Sequence, residues 1–421
     1  MSQHIHKRFT DEQVKELMKR YKAGEVSRIN IQTILGIGQT RFFALLKAYR
    51  NNPQSFSVCY HRTIPTRHIN HKAEARIIQE LSASQKLIDA KNVPIWRHNY
   101  SFIRQTLREK DNQSIALSTI IQRAKEHGFY IPRKKTTNPH DREVITNNVG
   151  ELIQHDSSQH LFAPKAGHKW WLITSIDDHS RFIFYAKLVE HDATWPHIVA
   201  VRYIFLKFGL PMRFYIDSDS IFRFVRGRDE LHYKHHQFTD EARPQWTQIL
   251  DECQVKPVFA LSPQAKGKVE RPYGWLQDHL VRLCYRENVT TLAQGNHILG
   301  QEVNAYNFKR VHSTIEDIPH LHYQRAIRDK RNLFRPFYIP APFQSTKDIF
   351  CIRMDRTVDA YRTVTINNQR IKFSNAPIYE KIQLRIHPDT TTGISEIRFW
   401  HKDKLLDIQR IKTTLIDPVH F

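Results

Sequence analysis

The apolar pattern between residues 148 and 285 constrains the fold of this sequence more than any other feature. Short apolar runs of strand length alternate there with longer stretches at helical spacing. Their order is three strands, a helix, a strand, a helix, a strand and a helix, which is typical of one central sheet covered by helices. The sequence therefore predicts a mixed α/β domain over residues 148–330.

Turn residues and glycines give the bounds of these elements. The predicted strands are 152–155, 170–176, 181–188, 213–216 and 256–260, and the predicted helices are 193–208, 240–252 and 269–285.

The first 55 residues have a helical pattern. Thr10 and Gln13 have the spacing of a capping box, in which each side chain accepts from the other residue's backbone amide. A Gly-Ile-Gly turn at 36–38 then separates two further helices, which is the helix-turn-helix arrangement. Its second helix would offer DNA four exposed side chains: Gln39, Thr40, Arg41 and Lys47.

The same outline recurs in residues 70–130, with predicted helices at 73–89, 100–108 and 118–127. A second helix-turn-helix unit is one interpretation, and a purely structural helical bundle is the other. The exposed contacts of a DNA reader would be Ser118, Thr119, Gln122 and Arg123. Residues 131–147 have the composition of an exposed basic linker, which contains Arg133, Lys134 and Lys135.

Charge is distributed unevenly. The chain has a formal net charge of +22, and residues 1–140 contain 25 Lys and Arg against 10 Asp and Glu. Most of the excess therefore lies in the first third, which favours contact with a polyanion such as nucleic acid. A basic protein without such a partner is the alternative.

Cysteine spacing and hydropathy argue against disulfide-stabilised, Cys-rich zinc-binding, membrane and secreted proteins. The four cysteines form no CxxC pair, so neither a disulfide framework nor a Cys-rich zinc site is expected. No apolar run approaches the roughly 18 residues of a membrane span, and the N-terminus lacks the apolar segment of a signal peptide. We therefore expect a soluble, intracellular protein without a membrane partner.

The last segment, residues 336–421, is rich in alternating polar and apolar residues. The runs 363–366, 369–373, 381–386 and 395–399 alternate with period two, separated by turn residues. This pattern predicts a small all-β, barrel-like C-terminal domain.

Three acidic residues stand at the boundaries of predicted elements. Asp156 follows the first strand, Asp217 follows the strand 213–216, and Glu270 opens the helix after residue 268. Strand ends and helix starts can bring distant carboxylates to one edge of a sheet. Phosphoryl transfer with two Mg²⁺ ions needs such a cluster, whereas a single acid in this position is usually a solvated cap.

The surroundings of these acids resemble insertion-sequence transposases of the retroviral-integrase superfamily, which have an RNase H-like core and a DDE triad. The resemblance covers about residues 148–325. The matching segments are Gln154-His155-Asp156, the strand and turn 172–181, Phe214 to Phe222, Ser262 to Arg271, and the trailing residues Tyr306, Asn307, Arg310, His312 and Pro319.

The resemblance implies a metal-dependent DDE transposase with a five-stranded mixed sheet, in which Asp156, Asp217 and Glu270 bind Mg²⁺, with Mn²⁺ as a substitute. Such an enzyme cuts element ends and joins the 3′ hydroxyls to target DNA. It implies double-stranded DNA partners (terminal repeats and target), a homodimer or larger assembly, and a bacterial, nucleoid-associated cytoplasmic location. We expect Lys266, Lys268 and Arg271 to contact DNA phosphates. The alternative is that they are surface charges with no such role.

Two rival functions use the same residues. A catalytically silent or domesticated relative would keep the DNA-reading units and act as a sequence-specific regulator. A simple RNase H-like nuclease would cut without joining, and the two predicted DNA readers argue against it.

Three departures from the family pattern carry consequences. Ser218-Asp219 replaces the usual Asn-Gly, which places a second acid beside Asp217. The segment between Asp217 and Glu270 is longer than in retroviral integrases. The extra residues lie near 223–238, a basic, histidine-rich stretch that is either a DNA contact or a surface insertion. Cys59, His61, His68 and His71 lack a second cysteine, so no structural zinc is expected.

Overall fold

The structure is a computed structural model that describes residues 5–59, 69–132, 146–216, 221–222, 244–259, 267–366, 369–389 and 391–416; the side chains of 267–273 are outside this description. The chain divides into two compact units, residues 1–75 and residues 76–421. No helix among these described residues is long and apolar enough to cross a membrane.

The first unit contains three helices at the predicted positions. They are α1 (Asp11–Lys22), α2 (Arg28–Leu35) and α3 (Gln39–Asn51). The capping box of α1 is present, with Thr10 and Gln13 bonded reciprocally. Gly36 ends α2 with φ of 63°, a left-handed conformation that costs glycine little. The three helices enclose an apolar core that includes Met18, Ile31 and Phe42.

Three more helices follow, α4 (His71–Asp89), α5 (Tyr100–Asp111) and α6 (Leu117–Glu126). Asn99 caps α5 by accepting from the amide of Phe102, and Asn112 ends that helix in the left-handed conformation. The predicted helices are confirmed here, although α5 runs three residues beyond its predicted end.

A five-stranded mixed sheet forms the centre of the second unit. Its strands are β1 (Ile153–His160), β2 (Trp170–Asp177), β3 (Ile183–Val189), β4 (Arg213–Ile216) and β5 (Lys256–Phe259). Their order is β3-β2-β1-β4-β5, with β1, β2 and β3 antiparallel and with β4 and β5 continuing parallel to β1. The predicted RNase H-like sheet is confirmed.

Helices cover both faces of this sheet. They are α7 (Thr194–Lys207), α8 (Gln245–Glu252), α9 (Gly267–Arg286), α10 (Leu292–Lys309) and α11 (Pro319–Arg328). One apolar cluster joins the sheet to α7 and α8 through residues such as Phe214, Phe205 and Trp246. A second cluster joins the opposite face to α9 and α10 through Leu172 and Leu280. Side chains of β1 alternate between the two faces: His155 stacks on Trp246 of α8, and Ser158 bonds to Gln277 of α9.

Two asparagines of α10 occupy the free edge of β3. Asn307 accepts from the amide of Ile183 at 3.0 Å and donates to its carbonyl at 2.9 Å. Asn296 makes the same pair with Leu188 at 2.8 and 2.9 Å. Backbone groups five residues apart in a regular strand face opposite edges, and the register shift opposite Ser175 and Ile176 turns those of Ile183 and Leu188 to the same edge. The two asparagine amides satisfy strand groups that would otherwise be left unpaired.

The buried member of this pair gives a stability prediction. Asn307→Asp removes the donor to the Ile183 carbonyl and places a carboxylate against it, so we expect the free energy of unfolding at pH 7 to fall by about 2–4 kcal/mol. The penalty should shrink as the pH falls, because burial raises the pKa of the new carboxyl and the protonated form can donate. Urea unfolding at pH 7 and pH 5 measures both effects.

Asn296→Asp is the matched control, because Asn296 is only half-buried whereas Asn307 is 3% exposed. A loss of stability in the control as large as in Asn307→Asp would contradict the assignment of the effect to buried edge pairing.

The C-terminal part begins with the short helix α12 (Thr346–Ile349). Six strands follow: β6 (Ile352–Thr357), β7 (Thr363–Ile366), β8 (Gln369–Lys372), β9 (Lys381–Asp389), β10 (Ile394–His401) and β11 (Lys404–Lys412). They form an antiparallel sheet in the order β11-β10-β9-β6 and a separate β7-β8 hairpin. The all-β character is confirmed, and β6 and β11 were not predicted. Closure into a barrel stays a prediction.

This C-terminal sheet is anchored to the α/β core. Glu252, at the end of α8, pairs with Arg353 at 2.6 Å and with Arg385 at 2.9 Å. Phe205 of α7 lies against Phe350, with ring centroids 5.9 Å apart. One apolar cluster therefore runs from the sheet through α7 and α8 into the C-terminal strands. The domain boundaries inferred from the sequence stay a prediction.

Candidate functional site

Asp156 lies inside β1, whereas the sequence placed it at the end of a strand. The strand runs to His160 because residues 153–160 pair along their whole length with β2, and Asp156 stands opposite Thr174. The polar residues after Asp156 concealed this extension, since they lack the apolar alternation of a predicted strand. Asp156 is half-buried and its Oδ1 accepts from the amide of Ser157 at 3.0 Å.

Asp156 shares a face of β1 with Ser158, because side chains two apart on a strand point the same way. Ser158 Oγ accepts from Nε2 of Gln277, a residue of α9, at 2.7 Å. Beyond the ends of both elements, Lys165 Nζ donates to Asn288. The chain therefore runs in the same direction along β1 and α9. As a result, the N-terminal part of α9 lies toward the half of β1 that contains Asp156.

The strand β4, which directly precedes the second acidic segment in the chain, lies beside β1. It pairs in parallel with β1, with Ile153 opposite Phe214 and Gln154 opposite Tyr215. The strand ends at Ile216, and Asp217 is the next residue in the chain. Asp217 and Asp219 lie outside the described residues, as does the basic segment 223–238.

The third acid belongs to the first turn of α9, which begins at Gly267, two residues before its predicted start. The side chains of Glu270, Lys268 and Arg271 are outside the described set, and so is residue Lys266. Within the part of the chain that is described, no group of three His, Cys, Asp or Glu side chains could hold a metal ion. Two of the three expected ligands are not in that part.

A buried polar network lies behind Asp156, on the opposite face of β1. His155 Nδ1 lies 2.7 Å from Ser175 Oγ, and its Nε2 lies 2.8 Å from His197 Nδ1. His197 Nε2 lies 2.8 Å from Asp192 Oδ1, and Ser157 donates to Asp192 Oδ2 at 2.8 Å. Burial, with the neighbouring His197, holds the pKa of His155 well below its usual range. This network was not predicted, and its one signal in the sequence is a histidine beside an acid in a buried strand.

The two acids at the end of β2, Asp177 and Asp178, have a structural role. Asp177 accepts from the amide and hydroxyl of Ser180 at 2.8 and 2.6 Å and from the amide of Gly150 at 2.9 Å. Burial raises the pKa of Asp177, and these hydrogen bonds oppose the shift. Asp178 accepts from Thr146 at 2.8 Å and pairs with Arg181. Asp177 and Asp178 therefore stabilise the turn at the C-terminal end of β2. This turn is part of the segment 172–181 that resembles the family.

The expected DNA contacts differ in accessibility. Gln39, Thr40, Arg41 and Lys47 are all exposed along α3. On α6, Ser118 and Gln122 are exposed, while Thr119 and Arg123 are half-buried. Glu126 pairs with Arg123 at 2.9 Å and accepts from Gln122 at 2.9 Å, so both side chains have a partner within their own helix. The linker residues Arg133, Lys134 and Lys135 are outside the described residues.

The helices α4 and α5 are fixed to α9. Arg282 of α9 is 1% exposed and donates to the Arg97 carbonyl at 2.7 Å and to Ser84 at 3.2 Å. Arg286 pairs with Glu80 at 2.6 Å, and its guanidinium lies 5.0 Å from the ring centroid of Phe102. The second helical group is therefore docked on the helix that carries Glu270. The alternative of a structural role for this group gains support, and DNA reading by α6 stays a prediction.

Known proteins with similar sequences are transposases. The "Putative transposase y4bF" of Sinorhizobium fredii (strain NBRC 101917 / NGR234) is 28% identical over 269 residues, which cover 63% of this chain and 53% of that protein. The "Transposase for insertion sequence IS1202" of Streptococcus pneumoniae is 26% identical over 160 residues, which cover 38% of this chain and 32% of that protein. The chain thus spans about half the length of the first relative and a third of the second. No protein-family model matches it.

Solved structures align at low similarity. The HTLV-2 integrase catalytic core domain in complex with magnesium, in its trimeric form, covers 41% of this chain and 96% of its own, at 13% identity and a TM-score of 0.31. The simian T-cell lymphotropic virus intasome in complex with PP2A regulatory subunit B56 gamma covers 72% and 97%, at 11% identity and a TM-score of 0.35. The sequence comparisons show that this chain is similar to transposases, including one of an insertion sequence.

Proposed function

We propose that this protein cuts the ends of a mobile DNA element and joins the freed 3′ hydroxyls to target DNA by metal-dependent phosphoryl transfer. Asp156, Asp217 and Glu270 are the proposed catalytic residues and metal ligands. The observation that carries the proposal is the parallel pairing of β1 with β4 while α9 packs against the same strand.

The register of β1 and β4 supports the approach of the first two acids. Gln154 stands opposite Tyr215, so two residues further along β1 the chain reaches Asp156, and two residues beyond Tyr215 it reaches Asp217. Adjacent strands lie about 4.8 Å apart, which is within the reach of two carboxylates around a shared ion.

Helical spacing supports the approach of the third acid. Position 270 lies seven residues before Gln277, which is two turns, so both positions share one face of α9. Gln277 contacts Ser158, and Asp156 lies two residues before Ser158 on the same strand face. Because the N-terminal part of α9 lies toward the Asp156 end of β1, this spacing directs position 270 toward Asp156.

The donor set fits Mg²⁺, with Mn²⁺ as a substitute, because three carboxylates supply the hard oxygen ligands that these ions prefer. When bound, such ions activate an attacking oxygen and offset charge on the leaving one. The role of the chain is to hold the three carboxylates together, while Lys266, Lys268 and Arg271 contact DNA phosphates beside them. Two element ends must be held at once, so we expect a homodimer or larger assembly.

A direct test uses the purified protein, Mg²⁺ and duplexes that carry the terminal repeats flanking its own gene. Strand nicks at the repeat ends and joined products on a target plasmid are the expected result. Binding to the repeats without either product would instead support the silent regulator, and nicks without joined products would support a nuclease.

Recognition of element ends is assigned to α3, whose expected DNA contacts are all exposed. Arg41→Ala in the full-length protein should reduce the preference for terminal repeats over random DNA by about 1–3 kcal/mol if Arg41 contacts a base bidentately. Competition gel shifts at two salt concentrations measure this preference and separate it from phosphate binding.

Lys19→Ala is the control, because Lys19 is an exposed cation of α1 in the same unit. It should weaken binding to both DNAs alike. If Arg41→Ala also weakened both alike, base reading by Arg41 would be excluded.

A further inference from the structure

We propose that the buried chain Ser175–His155–His197–Asp192–Ser157 is a positioning relay that fixes the Asp156 carboxylate for metal binding. The proposal rests on the proposed function, since it requires Asp156 to be a metal ligand. It goes further because it assigns a role to five side chains that belong neither to the triad nor to its flanking cations. None of the five is proposed to touch the metal or the DNA.

With both imidazole rings neutral, the hydrogen bonds of this relay admit one arrangement of protons. The Asp192 carboxylate can only accept, so His197 donates to it from Nε2 and Ser157 from its hydroxyl. His197 Nδ1 then accepts from Nε2 of His155, and His155 Nδ1 accepts from the Ser175 hydroxyl. Both rings are neutral in this arrangement, and each of their four nitrogens has a partner.

His155 and His197 are packed among aromatic side chains. Both are fully buried. His155 stacks on Trp246 with centroids 5.5 Å apart, and the rings of Phe214 and Phe222 meet it edge-on. A buried polar group that loses its hydrogen bond in such a site costs about 1–3 kcal/mol, so the relay holds its geometry firmly.

This geometry acts on the two residues that flank Asp156. His155 is bonded to His197 of α7, and Ser157 is bonded to Asp192 in the segment that leads into α7. Asp156 Oδ1 in turn accepts from the amide of Ser157. Displacement of Asp156 along β1 would therefore break several buried hydrogen bonds. Partners that orient metal ligands in this way contribute about 10- to 100-fold to metal affinity.

Asp192 is the best position for a test because it lies in the loop before α7, with its side chain 11% exposed. Asp192→Ala removes the acceptor of both His197 and Ser157. Asp192→Asn keeps an oxygen to accept from His197 and an amide to donate to Ser157. Glu190→Ala removes an exposed carboxylate from the same loop without touching the relay.

Two readouts report on the metal. The Mg²⁺ concentration for half-maximal cleavage of terminal repeats should rise about 10-fold or more in Asp192→Ala. Mn²⁺ binding to the protein alone, followed by the paramagnetic resonance of the free ion, should weaken in parallel. Asp192→Asn and Glu190→Ala should stay close to the wild type, and all three should bind terminal repeats normally.

A merely structural role would lower the melting temperature of Asp192→Ala and leave both metal readouts unchanged below that temperature, which would overturn the proposal. An equal loss in Asp192→Asn would also overturn it, because that variant keeps the hydrogen bonds. If Asp192→Ala is unfolded at the assay temperature, Ser157→Ala carries the same test from the hydrogen-bond partner of Asp192.

Asp156→Asn in the same assay separates this proposal from the proposed function. Cleavage by Asp156→Asn would overturn both. An inactive Asp156→Asn together with a wild-type metal requirement in Asp192→Ala would overturn the relay alone.

Discussion

Asp156→Asn is expected to reduce cleavage of element ends by at least about a thousand-fold while leaving the binding of those ends intact. A bound metal supplies several kcal/mol of transition-state stabilisation, and each 1.4 kcal/mol is a factor of ten in rate. The amide keeps the size of the carboxylate and removes the charge that holds the ion. Because Asp156 is half-buried in β1, an isosteric change there should preserve the sheet.

Initial rates of nicking in Mg²⁺ and in Mn²⁺, with gel shifts on the same protein, measure the two halves of this prediction. Asp177→Asn is the informative control. Asp177 is a buried acid of the neighbouring strand that serves a turn, so its loss should lower stability and leave the metal requirement of the folded fraction unchanged. Full cleavage by Asp156→Asn in either metal would remove Asp156 from the site.

The elements of the sheet could be predicted because their signals are local. The strands β2 and β3 are apolar runs bounded by a turn, and β4 was predicted at its observed bounds, residues 213–216. The extension of β1 beyond His155 was not predictable in this way. Residues 156–160 are polar, and they are strand only because β2 pairs with them.

Contacts between distant segments account for most of what the sequence did not predict. Asn307 matched the family pattern, but its role at the edge of β3 depends on a residue 124 positions away. Arg282 and Glu252 are ordinary helix charges in the sequence. They are anchors in the structure because another part of the chain lies against each of them. Asp192 and His197 belong to the relay for the same reason.

The choice between Asp217 and Asp219 tests the second metal ligand, and we expect Asp217→Asn to be inactive and Asp219→Gly to be active. Asp217 directly follows β4, which ends at Ile216 and pairs with β1 beside Asp156. Side chains two apart on an extended strand would point the same way, so spacing alone admits either acid. The family resemblance favours Asp217, because the family pattern has glycine at the position of Asp219 and aspartate tolerates the turn conformation that glycine adopts.

Charge gives a second reason to expect that Asp217, and not Asp219, is the metal ligand. A third carboxylate turned into the site would raise the pKa values of its neighbours and weaken metal binding unless a cation offset it. A turn residue has no such effect, so Asp219→Gly should need no more Mg²⁺ than the wild type. Initial rates of 3′-end cleavage across a Mg²⁺ titration distinguish the two acids. If Asp219→Gly were inactive and Asp217→Asn active, the ligand would lie two residues further along the chain, and the register of β1 and β4 would no longer support the triad as proposed.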